Sequence, residues 1–118
     1  MLVYISGMHE CIETDMHVRE EFNHVEKILK DSGFEIINPA GTSYRNNLKQ
    51  NQIDVHKGEV VHKSLSIYAG RGTDILQGLV SILIADKVVF LKNSETSRQA
   101  AIEMMFCEAL NKDVTYFP

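Results

Sequence analysis

Glu103 is the residue whose placement in this sequence most clearly suggests chemistry. It falls in a segment predicted to be helical, and its neighbours at i−3, i+4 and i+7 are Ala100, Cys107 and Leu110. The carboxylate therefore shares an apolar stripe of the helix. A buried or half-buried carboxylate has a perturbed ionisation, which suits a nucleophile or a general acid or base. The alternative is that the helix pivots slightly, so that Glu103 reaches solvent or an arginine.

Two predicted strand-to-helix turns carry hydroxyls and free backbone N–H groups. Ser6 and Gly7 follow the first apolar segment, and residues 94–98 open the last predicted helix. Such turns bind phosphates or carboxylates, although ordinary helix capping needs the same residues. Gly70-Arg71-Gly72 adds flexibility and a charge for anion contact, but a lone Gly-x-Gly is a weak signal.

The histidines form no pattern that predicts a metal or a nucleophilic site. His17 and His24 are seven residues apart on one predicted helix, without a third ligand at suitable spacing. His9, His56 and His62 have no recognisable arrangement with the cysteines or acids. We therefore expect no metal, and the sequence does not support Cys–His catalysis.

Composition narrows the class of protein. The chain has 118 residues, of which 44% are hydrophobic, which is enough for one core and one domain. Its net charge is −4, from 12 basic and 16 acidic side chains, and the basic residues form no cluster. The sequence therefore argues against binding to duplex nucleic acid, which needs a positively charged surface. The longest apolar run, 75–85, is far short of the roughly 20 residues that span a membrane. With no secretory signal, Cys11 and Cys107 are expected to be reduced thiols of a cytoplasmic protein.

Hydrophobic patterning predicts alternating strands and helices that position these residues. A long polar excursion at about 40–72 is expected to be a loop or lid, and its centre around Lys57-Gly58 is either a hairpin or a short helix. Thr96 and Gln99 fit a capping box at the start of the last helix. The pattern predicts an α/β fold with a doubly wound, Rossmann- or flavodoxin-like parallel sheet of four to five strands. The predicted strands are 2–6, 34–37, 86–91 and 114–117, and the predicted helices are 15–32, 73–84 and 96–110.

Several motifs resemble one family. The residues concerned are Tyr4-Ile5-Ser6-Gly7, Asn38-Pro39, 85–91 (ADKVVFL) and 97–103 (SRQAAIE). They resemble the nucleoside 2-deoxyribosyltransferase-like superfamily, especially its small branch common in bacteria and phages. The resemblance covers both ends of the chain, including a serine and a glutamate six positions apart, and covers the middle poorly.

The resemblance implies a reaction at a nucleoside or deoxynucleoside 5′-monophosphate. Glu103 would attack, or electrostatically stabilise, the anomeric carbon while the base departs, with water or a second base as acceptor. Asp74 would be a polar partner near the leaving base or the sugar. This N-glycosidase or deoxyribosyltransferase chemistry implies no cofactor and no metal.

The resemblance also implies a set of substrate-binding residues. Ser6, Gly7 and Ser97 would hold the sugar 5′ end or a 5′-phosphate, and Tyr4 would line the pocket. Further contacts are expected from Asn38, Arg71, Ser94 and Arg98.

Two other functions remain open. The family's second acid usually stands where this chain has Gly78, one helical turn after Asp74. That change favours a non-catalytic protein that binds a nucleotide or an ADP-ribose-like metabolite. The last predicted helix is apolar nearly all round, which suits a partner-binding domain and, more simply, a homodimer or larger homo-oligomer. The family resemblance implies that a neighbouring subunit completes the pocket, so the 40–72 segment is expected to act in trans.

Overall fold

The structure is a computed structural model, which describes the backbone of residues 1–56 and 63–118 and the side chains of residues 1–49 and 72–118. The described residues form four strands and four α-helices, with two helices in succession between the second and third strands, and a short 3-10 helix follows the first and the third strand. The elements are β1 (Leu2–Ser6), the first 3-10 turn (His9–Cys11), α1 (Met16–Asp31), β2 (Glu35–Ile37), α2 (Thr42–His56), α3 (Lys63–Ile84), β3 (Lys87–Phe90), the second 3-10 turn (Lys92–Thr96), α4 (Arg98–Leu110) and β4 (Asp113–Tyr116).

The four strands form one sheet in the order β2-β1-β3-β4, and every neighbouring pair is parallel. The chain moves outward from β1 to β2 and then crosses back to β3. The strand order therefore reverses between β1 and β3, where open α/β sheets form a crevice at the carboxyl ends of their strands. The predicted α/β class and parallel sheet are confirmed.

Alternation along β1 divides the interior into two cores. Val3 and Ile5 pack with α1 on one face of the sheet. Tyr4 packs on the other face, with buried side chains of α2, α3 and α4. Ser6 is buried and follows Tyr4 by two residues, so it lies on the face of α3 and α4 at the carboxyl end of the central strand.

The ends of α1 and α4 follow from capping. Asp15 is the N-cap of α1 and accepts from the His17 N–H at 2.9 Å, and Gly33, just beyond the helix, has φ +93. The capping box predicted at Thr96 is wrong, because residues 92–96 form the second 3-10 turn. Ser97 is the N-cap and its Oγ accepts from the Ala100 N–H at 3.0 Å.

The expected long loop at 40–72 is also wrong, because α2 covers Thr42–His56 and α3 begins at Lys63. Tyr44 and Leu48, one helical turn apart, are both buried and anchor the polar α2 against the core. The helix predicted from residue 73 starts ten residues earlier, with Gly70 and Gly72 inside it. Residues 57–62, the centre of the region left open between hairpin and helix, lie outside the described backbone.

Candidate functional site

The Glu103 carboxylate is completely buried under the carboxyl end of β1. It has an exposure of 0%. The Tyr4 hydroxyl donates to Oε2 at 3.0 Å, and the Ser6 hydroxyl donates to Oε1 at 2.8 Å. The solvent-reaching alternative for Glu103 is therefore wrong, and the structure brings Glu103 together with Tyr4 and Ser6, two of the residues expected at the substrate. A buried carboxylate that is hydrogen-bonded in this way is either a reactive group or part of a structural polar network.

His9 is the third group on the carboxylate, and sequence reasoning did not find it. Its Nε2 lies 2.8 Å from Glu103 Oε1 and 3.3 Å from Ser6 Oγ. The expectation that His9 has no arrangement with an acid is thus wrong. The feature of the sequence that could have indicated His9 is its position, because it lies in the turn that follows the strand ending in Ser6.

The His9 ring has one nitrogen engaged and one free. It packs between the rings of Tyr4 and Phe22, at centroid distances of 6.4 and 5.9 Å. In the tautomer that carries its proton on Nε2, the ring donates to Glu103 Oε1. Buried Nδ1 has no hydrogen-bond partner in the described part of the chain. In a Ser-His-acid triad the acid would bind Nδ1; here acid and serine share Nε2, so Ser6 is not an activated nucleophile.

Gly7 lets the chain turn sharply at the end of β1. A Cβ at this position would lie 2.7 Å from both Asn93 Oδ1 and the Phe22 ring. Asn93 Oδ1 in turn accepts from the Met8 N–H at 2.9 Å. The absence of a side chain therefore allows the turn to pack against the second 3-10 turn, which keeps His9 directed at Glu103.

Gly78 has a comparable role on α3. A Cβ there would lie 2.2 Å from Glu103 Oε2 and 3.0 Å from the Tyr4 hydroxyl. The space that a side chain would fill is taken by the carboxylate and by the tyrosine. The second acid expected from the family pattern has no room at this position as long as Glu103 points at α3.

Burial controls the ionisation of the groups around Glu103. Burial, reinforced by the Glu103 charge, raises the pKa of Tyr4 well above its usual value. Burial likewise raises the pKa of Tyr44, with the nearby Glu103 and Asp74 carboxylates adding to the effect. Burial and the Glu103 charge raise the pKa of the Cys107 thiol to about 11. Tyr4 is therefore a neutral donor at physiological pH, and Cys107 is a thiol rather than a thiolate.

Asp74 is buried on α3 but does not touch Glu103 directly in any described contact. Its Oδ1 accepts from Gln99 Nε2 at 3.1 Å, and its Oδ2 pairs with Arg45 Nη2 at 3.3 Å. Gln99 and Glu103 are one turn apart on α4. Asp74 thus ties α3 to α2 and α4 beside the carboxylate, which corresponds to the structural role of a helix anchor.

The N-terminus of α4 holds a carboxylate from the first 3-10 turn. Glu10 Oε1 accepts from the Ser97 hydroxyl at 2.5 Å, and Oε2 accepts from the Gln99 N–H at 3.1 Å. Partial burial alone would raise the pKa of Glu10, but the bonds from Ser97 and the Gln99 and Arg98 backbone outweigh it, so the pKa is below its usual value. Glu10 also borders a cavity of about 530 Å³.

The remaining predicted binding residues are dispersed. Asn38 donates to Asn23 and Glu26 and lines a separate cavity of about 600 Å³ beside β2 and α2. Arg98 is exposed and borders the cavity at Glu10, and Ser94 is half-buried in the second 3-10 turn. The Arg71 backbone belongs to α3, and its side chain is outside the described set.

Comparisons with protein-family models, with curated proteins and with solved structures gave no match. Among the described residues, no group of three or more His, Cys, Asp and Glu side chains could hold a metal ion. The described helices also include none that is long and apolar enough to cross a membrane. The site's own geometry is therefore the basis for a functional proposal.

Proposed function

We propose that the protein is a nucleoside or deoxynucleotide N-glycosidase or deoxyribosyltransferase that uses Glu103 as its nucleophile. The observation that carries the proposal is the buried Glu103 carboxylate at the carboxyl end of the central strand, bonded to Tyr4 and Ser6 of that strand. Open α/β sheets bind their ligands at this point of the fold. The motif resemblance at both ends of the chain supplies the reaction type.

The two carboxylate oxygens have different surroundings, which assigns their roles. Among the described residues, Oε1 lies within hydrogen-bond distance of both Ser6 and His9, whereas Oε2 accepts from Tyr4 alone. Oε1 is therefore the anchored oxygen and Oε2 the attacking one. Tyr4 also stabilises Glu103 as the leaving group when the bond to the sugar breaks, because a hydrogen bond to an ionised carboxylate is stronger than one to a neutral ester.

The reaction has two displacements. Glu103 Oε2 forms a bond to C1′ of the sugar while the C1′–N bond breaks, and the departing base keeps the electron pair and takes up a proton from water. A water molecule, which loses a proton to the solvent, or a second base then attacks C1′ and displaces Glu103, which regains its electron pair as a carboxylate. Water gives the free base and deoxyribose, or deoxyribose 5-phosphate from a nucleotide. A second base, which likewise gives up its ring proton to the solvent, gives a new nucleoside or nucleotide.

Because Glu103 has no exposed surface, a sugar reaches it only after α3 moves away from α4. Oε2 faces the bare backbone of Gly78 on α3. The contact between Glu103 and α3 can therefore open without separating interlocked side chains, because Gly78 has none. This movement breaks the hydrogen bond between Asp74 and Gln99, which joins α3 to α4.

A second candidate function is nucleotide or metabolite binding without turnover. The full burial of Glu103 and its hydrogen bonds to Tyr4, Ser6 and His9 favour it, because they are also what a structural polar network needs. In that case the cavity beside Asn38, about 600 Å³ and lined by amide and carboxylate groups, offers hydrogen bonds to a base or ribose.

Base release distinguishes the two functions. Purified protein is incubated with deoxynucleosides and their 5′-monophosphates, and free base is followed by chromatography. Glu103→Gln should reduce release by on the order of a thousandfold or more, while Glu108→Gln, an exposed glutamate on the same helix, should leave it unchanged. Equal release by wild type and Glu103→Gln would exclude the nucleophile. No release from any substrate, with ligand-induced thermal stabilisation, would favour binding alone.

We also propose that the chain forms a homodimer or larger homo-oligomer through α3. Its exposed face carries Leu76, Val80, Leu83 and Ile84, each more than half exposed. They lie at i, i+4, i+7 and i+8, which is one face of a helix. An exposed stripe of this kind is typical of an interface, and a two-fold axis buries it against itself.

Sedimentation tests the assembly. Leu83→Glu should convert the oligomer to monomer at micromolar concentration, because the interface would have to bury an unpaired charge. Ile28→Glu places the same charge at an exposed apolar position on α1, across the sheet, and should leave the oligomer intact. A wild-type protein that sediments only as monomer would contradict the proposal.

A further inference from the structure

Arg45 is a largely buried cation beside the site, and most of its hydrogen-bonding capacity is unused. Its side chain is 15% exposed, and its Nη2 donates to Asp74 Oδ2 at 3.3 Å. Nε and Nη1 are buried, and neither has a hydrogen-bond partner among the described residues. These two atoms carry three of the five N–H groups of a guanidinium. Because a buried donor without an acceptor destabilises a fold, its retention points to an acceptor that a ligand supplies.

The surroundings of the guanidinium hold it in a fixed orientation. Asp74 binds one of its nitrogens, and the guanidinium carbon lies 6.0 Å from the centroid of the Tyr44 ring, within the range of a cation–π contact. Glu13 is mostly exposed, and its Oε1 lies 4.0 Å from Nε, which is too far for a hydrogen bond. Arg45 is therefore oriented before a ligand arrives, as a donor must be to stabilise developing charge without reorganisation.

Arg45 contacts α3 one helical turn from the point that Glu103 faces. Asp74 and Gly78 are four residues apart on α3, so they are separated by about 6 Å along the helix axis. Gly78 is the residue that Glu103 Oε2 faces. In an in-line displacement at C1′ the departing nitrogen lies about 5 Å from the attacking oxygen, since the attacking distance is about 3–3.5 Å and the C–N bond adds about 1.5 Å. A base whose sugar contacts Glu103 is thus within reach of the guanidinium.

We propose that Arg45 is a catalytic residue that binds the departing base. This inference rests on the proposed function and adds a residue to it. When the C1′–N bond breaks, its electron pair goes to the base and the charge spreads to the carbonyl oxygens and ring nitrogens of that base. The free N–H groups of Arg45 donate to one of these atoms and stabilise the charge as it develops. The base still takes its proton from water, because a guanidinium keeps all its protons. Asp74 is then a positioning residue for Arg45.

The first test measures binding of the free base and does not depend on turnover. Thermal unfolding is followed with increasing adenine, hypoxanthine, cytosine, uracil or thymine for wild type, Arg45→Lys and Arg45→Met. The control is Lys49→Met, which removes a charge from an exposed position on the same helix. At least one base should stabilise wild type and Lys49→Met equally, and its half-saturating concentration should be about tenfold higher or more in both Arg45 variants.

Two results of this test would overturn the inference. A base that stabilises Arg45→Lys at the same concentration as wild type would show that Arg45 does not hold the base. A wild-type protein that no base stabilises would show that the free N–H groups do not form a base site. Arg45→Lys keeps a cation beside buried Asp74, so it gives the answer even where Arg45→Met fails to fold.

The second test separates stabilisation of the leaving base from a structural role of Arg45. It compares the deoxynucleoside that is cleaved fastest with an analogue whose base departs more easily, the 7-methyl derivative of a purine or the 5-fluoro derivative of a pyrimidine. A 7-methylpurine departs as a neutral molecule, and fluorine withdraws charge from the departing pyrimidine. Arg45→Lys should lower kcat by about a hundredfold for the parent compound, with a smaller change in KM, and by about tenfold or less for the analogue.

The outcomes of the second test are distinct from those of the proposed function. Equal losses of kcat for parent and analogue would show that Arg45 acts only through the fold, and would overturn its catalytic role. If wild type releases no base from any substrate, then the proposed reaction fails, and the first test alone decides whether Arg45 binds a base.

Discussion

Replacing Gly78 by alanine tests the geometry around Glu103 most directly. The new methyl carbon would lie 2.2 Å from Glu103 Oε2, and an ordinary contact begins at 3.4 Å. The carboxylate must therefore retreat by about 1 Å, which breaks its 3.0 Å bond to the Tyr4 hydroxyl. Rotation of the tyrosine gives no relief, because its hydroxyl would be 3.0 Å from the same methyl carbon.

The expected loss can be worked from these contacts. Overpacking a buried site costs about 1–3 kcal/mol, and a lost hydrogen bond to a buried charged group costs about 1.5–3 kcal/mol. Alanine returns about 1 kcal/mol through its higher helix propensity. The free energy of unfolding should fall by about 1.5–5 kcal/mol in total. Urea unfolding followed by circular dichroism measures this difference.

Gly72→Ala is the matched control, because it lies in the same helix and a Cβ there meets no atom within 4 Å. It should be neutral or stabilising by up to about 1 kcal/mol. Glu103→Asp, which shortens the side chain, should recover part of the loss when combined with Gly78→Ala. If Gly78→Ala is as stable as Gly72→Ala, the packing of Glu103 against α3 described above is incorrect.

Three further outcomes are expected. Tyr4→Phe should destabilise the fold by about 1.5–3 kcal/mol, measured by urea unfolding, because a buried Glu103 oxygen loses its donor; an unchanged stability would contradict that bond. Cys107 is fully buried and its thiol has a pKa of about 11, so it should resist alkylation at about pH 8. Half-buried Cys11 should be labelled under the same conditions, which mass spectrometry measures. Equal labelling of both cysteines in the native protein would argue against the packing of α4. Folding lowers the pKa of Glu10, so the stabilisation from its carboxylate is present above the ordinary pKa of 4.5 and is lost as pH falls through the lower folded pKa. Glu10→Gln should therefore lose less stability than wild type between about pH 6 and about pH 3, measured by urea unfolding. Equal losses in the two proteins would refute the lowered pKa.

The sheet could be predicted because its signals are local. Each buried strand is a short apolar run, and Asp15 and Gly33 mark the ends of α1 as their chemistry requires. The region 40–72 was predicted incorrectly for a physical reason. The described part of α2 has only two buried apolar anchors, Tyr44 and Leu48, among polar residues, and its stability comes from packing rather than from a periodic pattern.

The candidate site was predictable in part. Glu103 could be found because an acid on an apolar stripe is unusual, and the sequence pattern supplied Tyr4 and Ser6. His9 and Glu10 could not be found, because their partners are 94 and 87 residues away and no spacing rule connects them. The sequence pattern suggested that Gly78 replaces a second acidic residue. In the structure, the absence of a side chain at Gly78 leaves space for the Glu103 carboxylate of α4.

The hydrogen bonds of Glu103 also bear on how the chain folds during synthesis. Tyr4, Ser6 and His9 are synthesised well before the carboxylate they contact, which lies 94 to 99 residues further along. β3 becomes available to pair with β1 first, but the acceptor for the buried hydroxyls of β1 arrives only with α4. The central strand of the sheet therefore reaches its final hydrogen bonding only after the whole segment from β1 to α4 has been made.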